Sequence, residues 1–474
     1  MKDKSRVFIN SGIVFASTII EYLIFFAINL IIARFLSVEH FGEYITALGY
    51  ATFFSTITNI GINQTLIRLV NIDPGKEKEH FTSAFVIKCI LGVIIYLIMA
   101  ISLWFTNYSH QLIYLTLIMG VFRIGSEFIS AFYSLFDAKE TFIVSSIVRI
   151  IFSALFLILT LGVVMFNGDL FDFAYVRLWL VVLFLFILGI TSRKYITKNI
   201  TKQSLLNFTK ESITFGIFNV LVNAFHRTNI IFLSLIHGSI YTGVFSNGFI
   251  FFTTLFFVPI NLSRVLLPYL YKTPFEKDKN KFQFAFDIYT KYLTMLAFYF
   301  LMGGLLFSKD VIYLVFTNKY HDSIPVLQII TIGIPFVFTI APTLITSLDK
   351  QPVLTKIHVY GFIVNIVSNG ILIYLFKSVG AALAAVLTYL FVYIASHYYL
   401  AVNNYINISA TVKNLLYQIL ILSLCFLVKL SLPHNIHWFY LMAAVSMVWL
   451  TFNLLFVFNS NDLRILKEII RVDK

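Results

Sequence analysis

The sequence predicts an all-α membrane protein of about 14 transmembrane helices: two six-helix halves related by a parallel repeat, and two additional C-terminal helices. Three observations carry that expectation. Hydrophobic residues make up 59% of the 474 and charged ones only 12%, with a mean hydropathy of +0.88. The apolar stretches recur from end to end, each about 20 residues or longer, which is what a roughly 30 Å hydrocarbon core demands of a helix. A short motif that closes the first span and opens the second recurs where the seventh span meets the eighth.

Taken in order, the spans lie near 10–34, 41–65, 82–106, 110–136, 140–166, 171–191, 211–236, 241–269, 286–308, 323–348, 353–376, 378–402, 413–432 and 437–458. The first, over 12–33, is followed by no small-residue cleavage pattern and is expected to be a retained helix. Ile, Val and Phe also suit strands, but outer-membrane strands are about ten residues long and alternate in polarity, so helices are expected throughout. Pro259, Pro268, Pro335 and Pro342 interrupt apolar stretches and are expected to kink them.

The short loops orient the chain. Lys2, Lys4, Arg6, Lys76, Lys78, Lys139, Arg193, Lys194, Lys198, Lys202, Lys210, Lys272 and Arg464 fall on one side, against little beyond Arg34, Lys309, Lys319, Lys377 and Lys429 on the other. Excess Lys and Arg in short loops marks the cytoplasmic side, which puts both termini there. The net charge of +13 is thereby spread over loops, so a nucleic-acid partner is not expected.

The repeat pairs Phe41-Gly42-Glu43-Tyr44 with Thr242-Gly243-Val244-Phe245. With the hydrophilic stretch over 192–210 as a cytoplasmic linker, the expected organisation is an N-terminal half over 1–191, a C-terminal half over 211–402, and two helices with a tail over 403–474. Parallel repeats of this kind place a site between their halves.

Ionisable residues inside spans are the functional signal, because each costs several kcal/mol at the bilayer centre unless it faces a polar interior. Arg123, Arg149, Arg227 and Arg264 are the candidate substrate-binding residues. With few acids nearby, they suggest a chamber for an anion. Glu127 lies one turn after Arg123 and is read either as its ion-pair partner or as a charge-coupling group. Glu21, midway along the first span, is read either as a proton carrier or as a salt-bridge partner of an arginine. Arg264, near a span end, can also snorkel. Lys88 and Lys291 are expected to snorkel, Asp287 to pair with Lys291, and Arg177 to lie at the interface. His358, Asn365, Ser368 and Asn369 form a polar stripe of the kind that glues helices together.

Some chemistry is absent. The sequence has no GxxxxGK[ST] phosphate loop and no HExxH or His/Cys metal spacing, so no cofactor, metal or catalytic residue is assigned. Cys89 and Cys425 are expected to be small packing residues.

The stretch Ala33-Arg34-Phe35-Leu36, then Phe41-Gly42-Glu43-Tyr44, Gly61-Ile62 and Arg68, resembles the N-terminal signature of Wzx-type polysaccharide flippases. These belong to the multidrug/oligosaccharidyl-lipid/polysaccharide (MOP) exporter superfamily. Val379-Gly380-Ala381-Ala382-Leu383-Ala384 resembles that family's Gly/Ala pattern opening span twelve. The resemblance implies movement of an undecaprenyl-pyrophosphate-linked oligosaccharide, for O-antigen or another glycan, across the bacterial cytoplasmic (inner) membrane. It also implies membrane lipids, a polysaccharide polymerase and chain-length proteins as partners. The planar guanidinium suits a pyrophosphate, to which it donates paired charge-assisted hydrogen bonds. Where many relatives carry an acid after the span-seven arginine, this chain reads Arg227-Thr228-Asn229, which tells against cation coupling there. An ion-coupled multidrug exporter on the same fold and a membrane-embedded envelope-polysaccharide enzyme are the alternatives. The first favours acids lining the cavity and the second a catalytic loop.

Overall fold

The computed structural model describes residues 2–272, 279–433 and 437–458, and every regular element among them is a helix. An apolar run in hydrocarbon must satisfy its own backbone, and the helix does so within one segment. The helices are α1 (Lys2–Phe35), α2 (Val38–Ile57), α3 (Ile62–Ile72), α4 (Glu77–Leu103), α5 (His110–Ala138), α6 (Phe142–Met165), α7 (Leu170–Thr191), α8 (Lys202–His237) and α9 (Ser239–Leu255). After these come α10 (Phe257–Lys272), α11 (Lys279–Phe316), α12 (Ser323–Ile332), α13 (Ile334–Val337), α14 (Ala341–Ser347), α15 (Gln351–Val402), α16 (Ser409–Ser431) and α17 (Trp438–Phe456).

Among the described residues, 11 helices are long and apolar enough to cross a membrane, or 12 if the bent α12–α14 segment is one span. The approach to the predicted fourteen comes from two places. In α15 the backbone leaves helical geometry at Lys377 (φ 54°, ψ −128°). A Cβ on Gly380 would lie 1.9 Å from the Leu372 carbonyl oxygen, so the chain doubles back and α15 is two helices. α8, 36 residues long, has the length to cross and contains the span predicted over 211–236.

Local chemistry sets the helix ends. Ser37, Ser109 and Thr201 accept hydrogen bonds from the backbone N–H groups of His40, Leu112 and Ser204, and Asp169 forms a capping box with Asp172 at the start of α7. Pro335 and Pro342 occupy the first turns of α13 and α14, where a missing N–H costs nothing, and the segment bends by 40° there. The outer surface is apolar: Ile90, Ile94, Leu97 and Ile101 stand exposed along α4, as do Leu416, Leu420 and Leu427 along α16. Stripes of this length face lipid, so the chain is a multi-pass membrane protein.

The chain packs as two compact units. The first holds residues up to Ser246 together with Asn365–Ala381, and the second Asn247–Val364 together with the chain from Ala382 onward. In the first unit α1 packs on α6, α2 on α5 and α8, and α5 on α7. Two glycine crossings bring backbones together there. A Cβ on Gly42 would lie 1.8 Å from the Ser239 carbonyl oxygen, and one on Gly243 would lie 3.2 Å from the Gly42 nitrogen. The two glycines that the sequence repeat aligns therefore touch each other, as equivalent positions do when they lie on a two-fold axis. The second crossing joins Gly61, held at φ +71°, to Gly216, whose Cβ would lie 2.6 Å from the Gly61 nitrogen. Beside it Arg68 forms an ion pair with Glu211.

The polar stripe of α15 joins this unit as glue. Asn229 Oδ1 accepts from Asn365 Nδ2 at 3.2 Å and Asn369 Nδ2 at 2.8 Å, while Asn229 Nδ2 donates to the Ala381 carbonyl at 3.4 Å. In the second unit α11 packs against α12, α16 and α17. Cys425 is fully buried there among Leu306, Phe307, Ile421, Val445 and Trp449, a small packing residue as expected.

Candidate functional site

The buried charge of the first unit gathers in two groups. The larger is built on α5, whose Arg123 and Glu127 stand one turn apart and form an ion pair at 3.5 Å. Lys88 of α4 reaches the same carboxylate at 3.9 Å and donates to the Glu127 carbonyl oxygen at 2.6 Å and to Ser130 Oγ at 3.0 Å. Asn63 Nδ2 of α3 donates to the same Ser130 oxygen at 2.9 Å. Lys88 is 1% exposed, so it does not snorkel. The expectation fails because the neighbouring helix offers its ammonium a carboxylate, a main-chain carbonyl and a hydroxyl within reach.

Arg177 is a second correction. Sequence position suggested the interface, but the side chain is buried. Its Nε donates to the Tyr44 hydroxyl at 2.5 Å, and its guanidinium carbon lies 4.5 Å from the Phe156 ring centre and 5.1 Å from that of Phe122. Aromatic faces carry negative potential and solvate a guanidinium without an acid. Neither Lys88 nor Arg177 could be assigned from its own helix, because the groups that hold them come from other helices.

Arg227 of α8 completes this group. It is partly exposed and lies within Coulomb range of both Arg123 and Arg177. Arg123 and Arg177 likewise act on each other. Lys88 and Arg123 share the Glu127 carboxylate, while Arg177 and Arg227 lie within Coulomb range of Arg123. Among the described residues, Arg123 also leaves its buried Nε without a partner. Such a concentration of positive charge at low dielectric is costly in isolation and is relieved by an anion.

The smaller group surrounds Arg149 of α6. It pairs with Asp137 at 3.5 Å, and its guanidinium carbon lies 4.7 Å from the Tyr133 ring centre. Glu21 of α1 lies within Coulomb range of it. Ser17 Oγ donates to Ser146 Oγ at 3.1 Å, tying α1 to α6 beside this group. The structure therefore brings Arg123 and Arg227 together and sets Arg149 with Glu21. Sequence reading left Arg149 without a partner because Asp137 sits at the end of the preceding helix. Arg264 is helical in α10, and its side chain lies outside the described residues, as does that of His226.

These cations stand in a unit whose outer faces carry lipid-facing apolar residues, the arrangement of a multi-pass membrane protein. The sequence profile described as polysaccharide biosynthesis protein matches residues 7–273, more than half of the chain, and the chain belongs to that family. Its fold is similar to that of the lipid II flippase MurJ in an inward closed conformation, with a TM-score of 0.77 at 16% identity over 93% of this chain and 98% of that one. A multidrug resistance MATE family transporter of the MOP superfamily, in an inward-facing conformation, matches with a TM-score of 0.63 at 13% identity over 81% and 95%. A MOP superfamily transporter from Pyrococcus furiosus matches with a TM-score of 0.56 at 13% identity over 89% and 96%. No curated protein matches the sequence.

Proposed function

We propose that this protein is a flippase for an undecaprenyl-pyrophosphate-linked oligosaccharide, moving it by alternating access from the cytoplasmic to the periplasmic or outer leaflet of the bacterial cytoplasmic membrane, with both termini cytoplasmic. The observation that carries the reading is the charge imbalance around Arg227, which lies within Coulomb range of Arg123 and Arg177, while the Glu127 carboxylate is shared by Arg123 and Lys88. A pyrophosphate supplies the missing negative charge and accepts the paired hydrogen bonds that a guanidinium donates. The saccharide cannot dissolve in hydrocarbon and the polyprenyl tail can, so the protein needs to shelter only the head. Membership of the polysaccharide biosynthesis family and the fold shared with a lipid II flippase support this choice of substrate class.

In this reading Arg227 and Arg123 bind the pyrophosphate. Arg149 and Glu21 form a second charged station available to couple transport to a proton, and Arg264 remains a substrate-binding candidate by its place in the sequence. The multidrug-exporter alternative receives less support, because a cationic drug would meet an excess of like charge around Arg227.

The deciding experiment measures lipid-linked saccharide on each side of the membrane in a strain lacking this gene, with and without its restoration. Accumulation on the cytoplasmic side that the wild-type gene relieves is the expected result. Complete but unpolymerised units already on the outer side would overturn the reading in favour of a later enzymatic step.

A further inference from the structure

A cavity in the second unit has no arginine in its lining. It holds about 290 Å³ and is lined by Asp287, Thr290 and Lys291 of α11, Thr411, Lys413, Asn414 and Tyr417 of α16, and Phe456 and Val457 at the end of α17. At ~30 Å³ per water molecule this is room for a phosphoglycerol-sized group.

Three side chains on its walls are more than nine-tenths buried: Thr290 at 3%, Thr411 at 5% and Asn414 at 8% exposure. Among the described residues, each leaves an oxygen without a hydrogen-bond partner, namely Thr290 Oγ1, Thr411 Oγ1 and Asn414 Oδ1. Buried polar atoms are almost always satisfied, so three orphans on one cavity point to a partner beyond the described residues.

The charge of the walls says what that partner is. Lys291 and Lys413 contribute two positive charges, and Asp287, which accepts from Gln283 Nε2 at 2.8 Å, contributes one negative. Thr411 and Lys413 stand in the first turns of α16, where free N–H groups and the helix dipole favour an anion. The rim is apolar and exposed at Phe456, and it continues along Leu416 and Leu420 of α16 and Leu455 of α17, all lipid-facing.

We infer that this cavity binds the phosphate-bearing headgroup of an anionic bilayer lipid, whose acyl chains lie along α16 and α17. The two lysines and the Thr290 and Thr411 hydroxyls donate to phosphate oxygens, while Asn414 Oδ1 accepts from a headgroup hydroxyl. The site involves none of the residues assigned to saccharide transport, so it stands or falls independently of that function.

The test uses the full chain, purified in detergent, and follows thermal unfolding against added short-chain phosphatidylglycerol, phosphatidylcholine or inorganic phosphate. Saturable stabilisation by phosphatidylglycerol is expected, with phosphatidylcholine and inorganic phosphate much weaker at equal concentration. Lys413→Gln is expected to unfold like wild type without lipid and to need roughly tenfold more phosphatidylglycerol for half-saturation, the scale of one charge-assisted hydrogen bond. Thr411→Val provides a second, uncharged probe of the same site and shifts the midpoint in the same direction. Asp287→Asn is expected to lower it. Equal response of wild type and Lys413→Gln would overturn the site. Equal protection by inorganic phosphate would overturn the lipid as its occupant, and equal protection by phosphatidylcholine would overturn its selectivity for an anion.

Discussion

Arg177 on α7 donates its Nε to the Tyr44 hydroxyl on α2 at 2.5 Å, and both side chains are buried. The guanidinium is otherwise surrounded by the faces of Phe122 and Phe156. A buried cation is thus held in place by a phenol and aromatic rings. Tyr44→Phe removes the acceptor and keeps the ring. The expected cost is about 1–3 kcal/mol, that of a buried donor left unsatisfied. Thermal unfolding of the purified variant checks this, and an unchanged midpoint would show the hydrogen bond to be without consequence.

The two arginines proposed to bind the pyrophosphate separate by their pairing. Arg227→Ala removes a cation from a site of excess positive charge, so surface-polysaccharide export is expected to be lost while the amount of protein in the membrane stays at the wild-type level. Arg123→Ala is expected to lose export as well, with protein retained because Lys88 still neutralises Glu127. Immunoblots and surface-glycan staining of complemented deletion strains read both quantities. Normal export in the two variants would remove the cationic site from the mechanism.

Glu127→Gln acts in the opposite sense. It leaves Lys88 buried beside a neutral amide, and breaking a buried ion pair in this way costs about 3–5 kcal/mol. The expected signature is a loss of folded protein, partly recovered in the double variant with Lys88→Met. A double-mutant cycle on unfolding free energies measures the coupling.

The glycine crossing gives a contrast within one chain. Gly42→Ala places a methyl 1.8 Å from the Ser239 carbonyl oxygen, a backbone atom that cannot rotate away. The variant is expected to be destabilised by about 1–3 kcal/mol or to separate the helices. Gly162→Ala meets nothing within 4 Å and, being helical, is expected to be neutral or more stable by up to about 1 kcal/mol. Equal melting temperatures for the two variants would contradict the close approach.

Asn229→Leu tests the asparagine cluster. It removes the oxygen that accepts from both Asn365 and Asn369, and the loss expected for one interhelical polar contact in a membrane protein is about 0.6–2 kcal/mol. Unfolding in detergent measures it.

Much of this architecture was legible before any coordinates. Apolar runs, capping residues and prolines act locally, so the spans, the breaks around Pro335 and Pro342 and the Arg123–Glu127 pair could be read from neighbouring letters. Three-dimensional partnership could not. The 39 residues between Lys88 and Glu127, and the 133 between Tyr44 and Arg177, leave no periodic trace. Distance from a span end is then the only guide, and it assigns both cations to the surface. The one long-range signal came from the repeat, since duplicated segments leave matching letters, and Gly42 and Gly243 are where those letters meet.

The turn at Lys377 has a consequence for how the protein is made and mapped. The two arms of α15 are joined without a connecting loop, and the turn is fastened by Lys377 Nζ to the Tyr241 hydroxyl and by Ser378 Oγ to the Tyr241 carbonyl, each at 2.8 Å. Two apolar arms joined this closely favour insertion of the pair as a single hairpin. A protease site or epitope inserted there would have to force the arms apart, and reporters of sidedness belong at the far ends of the hairpin.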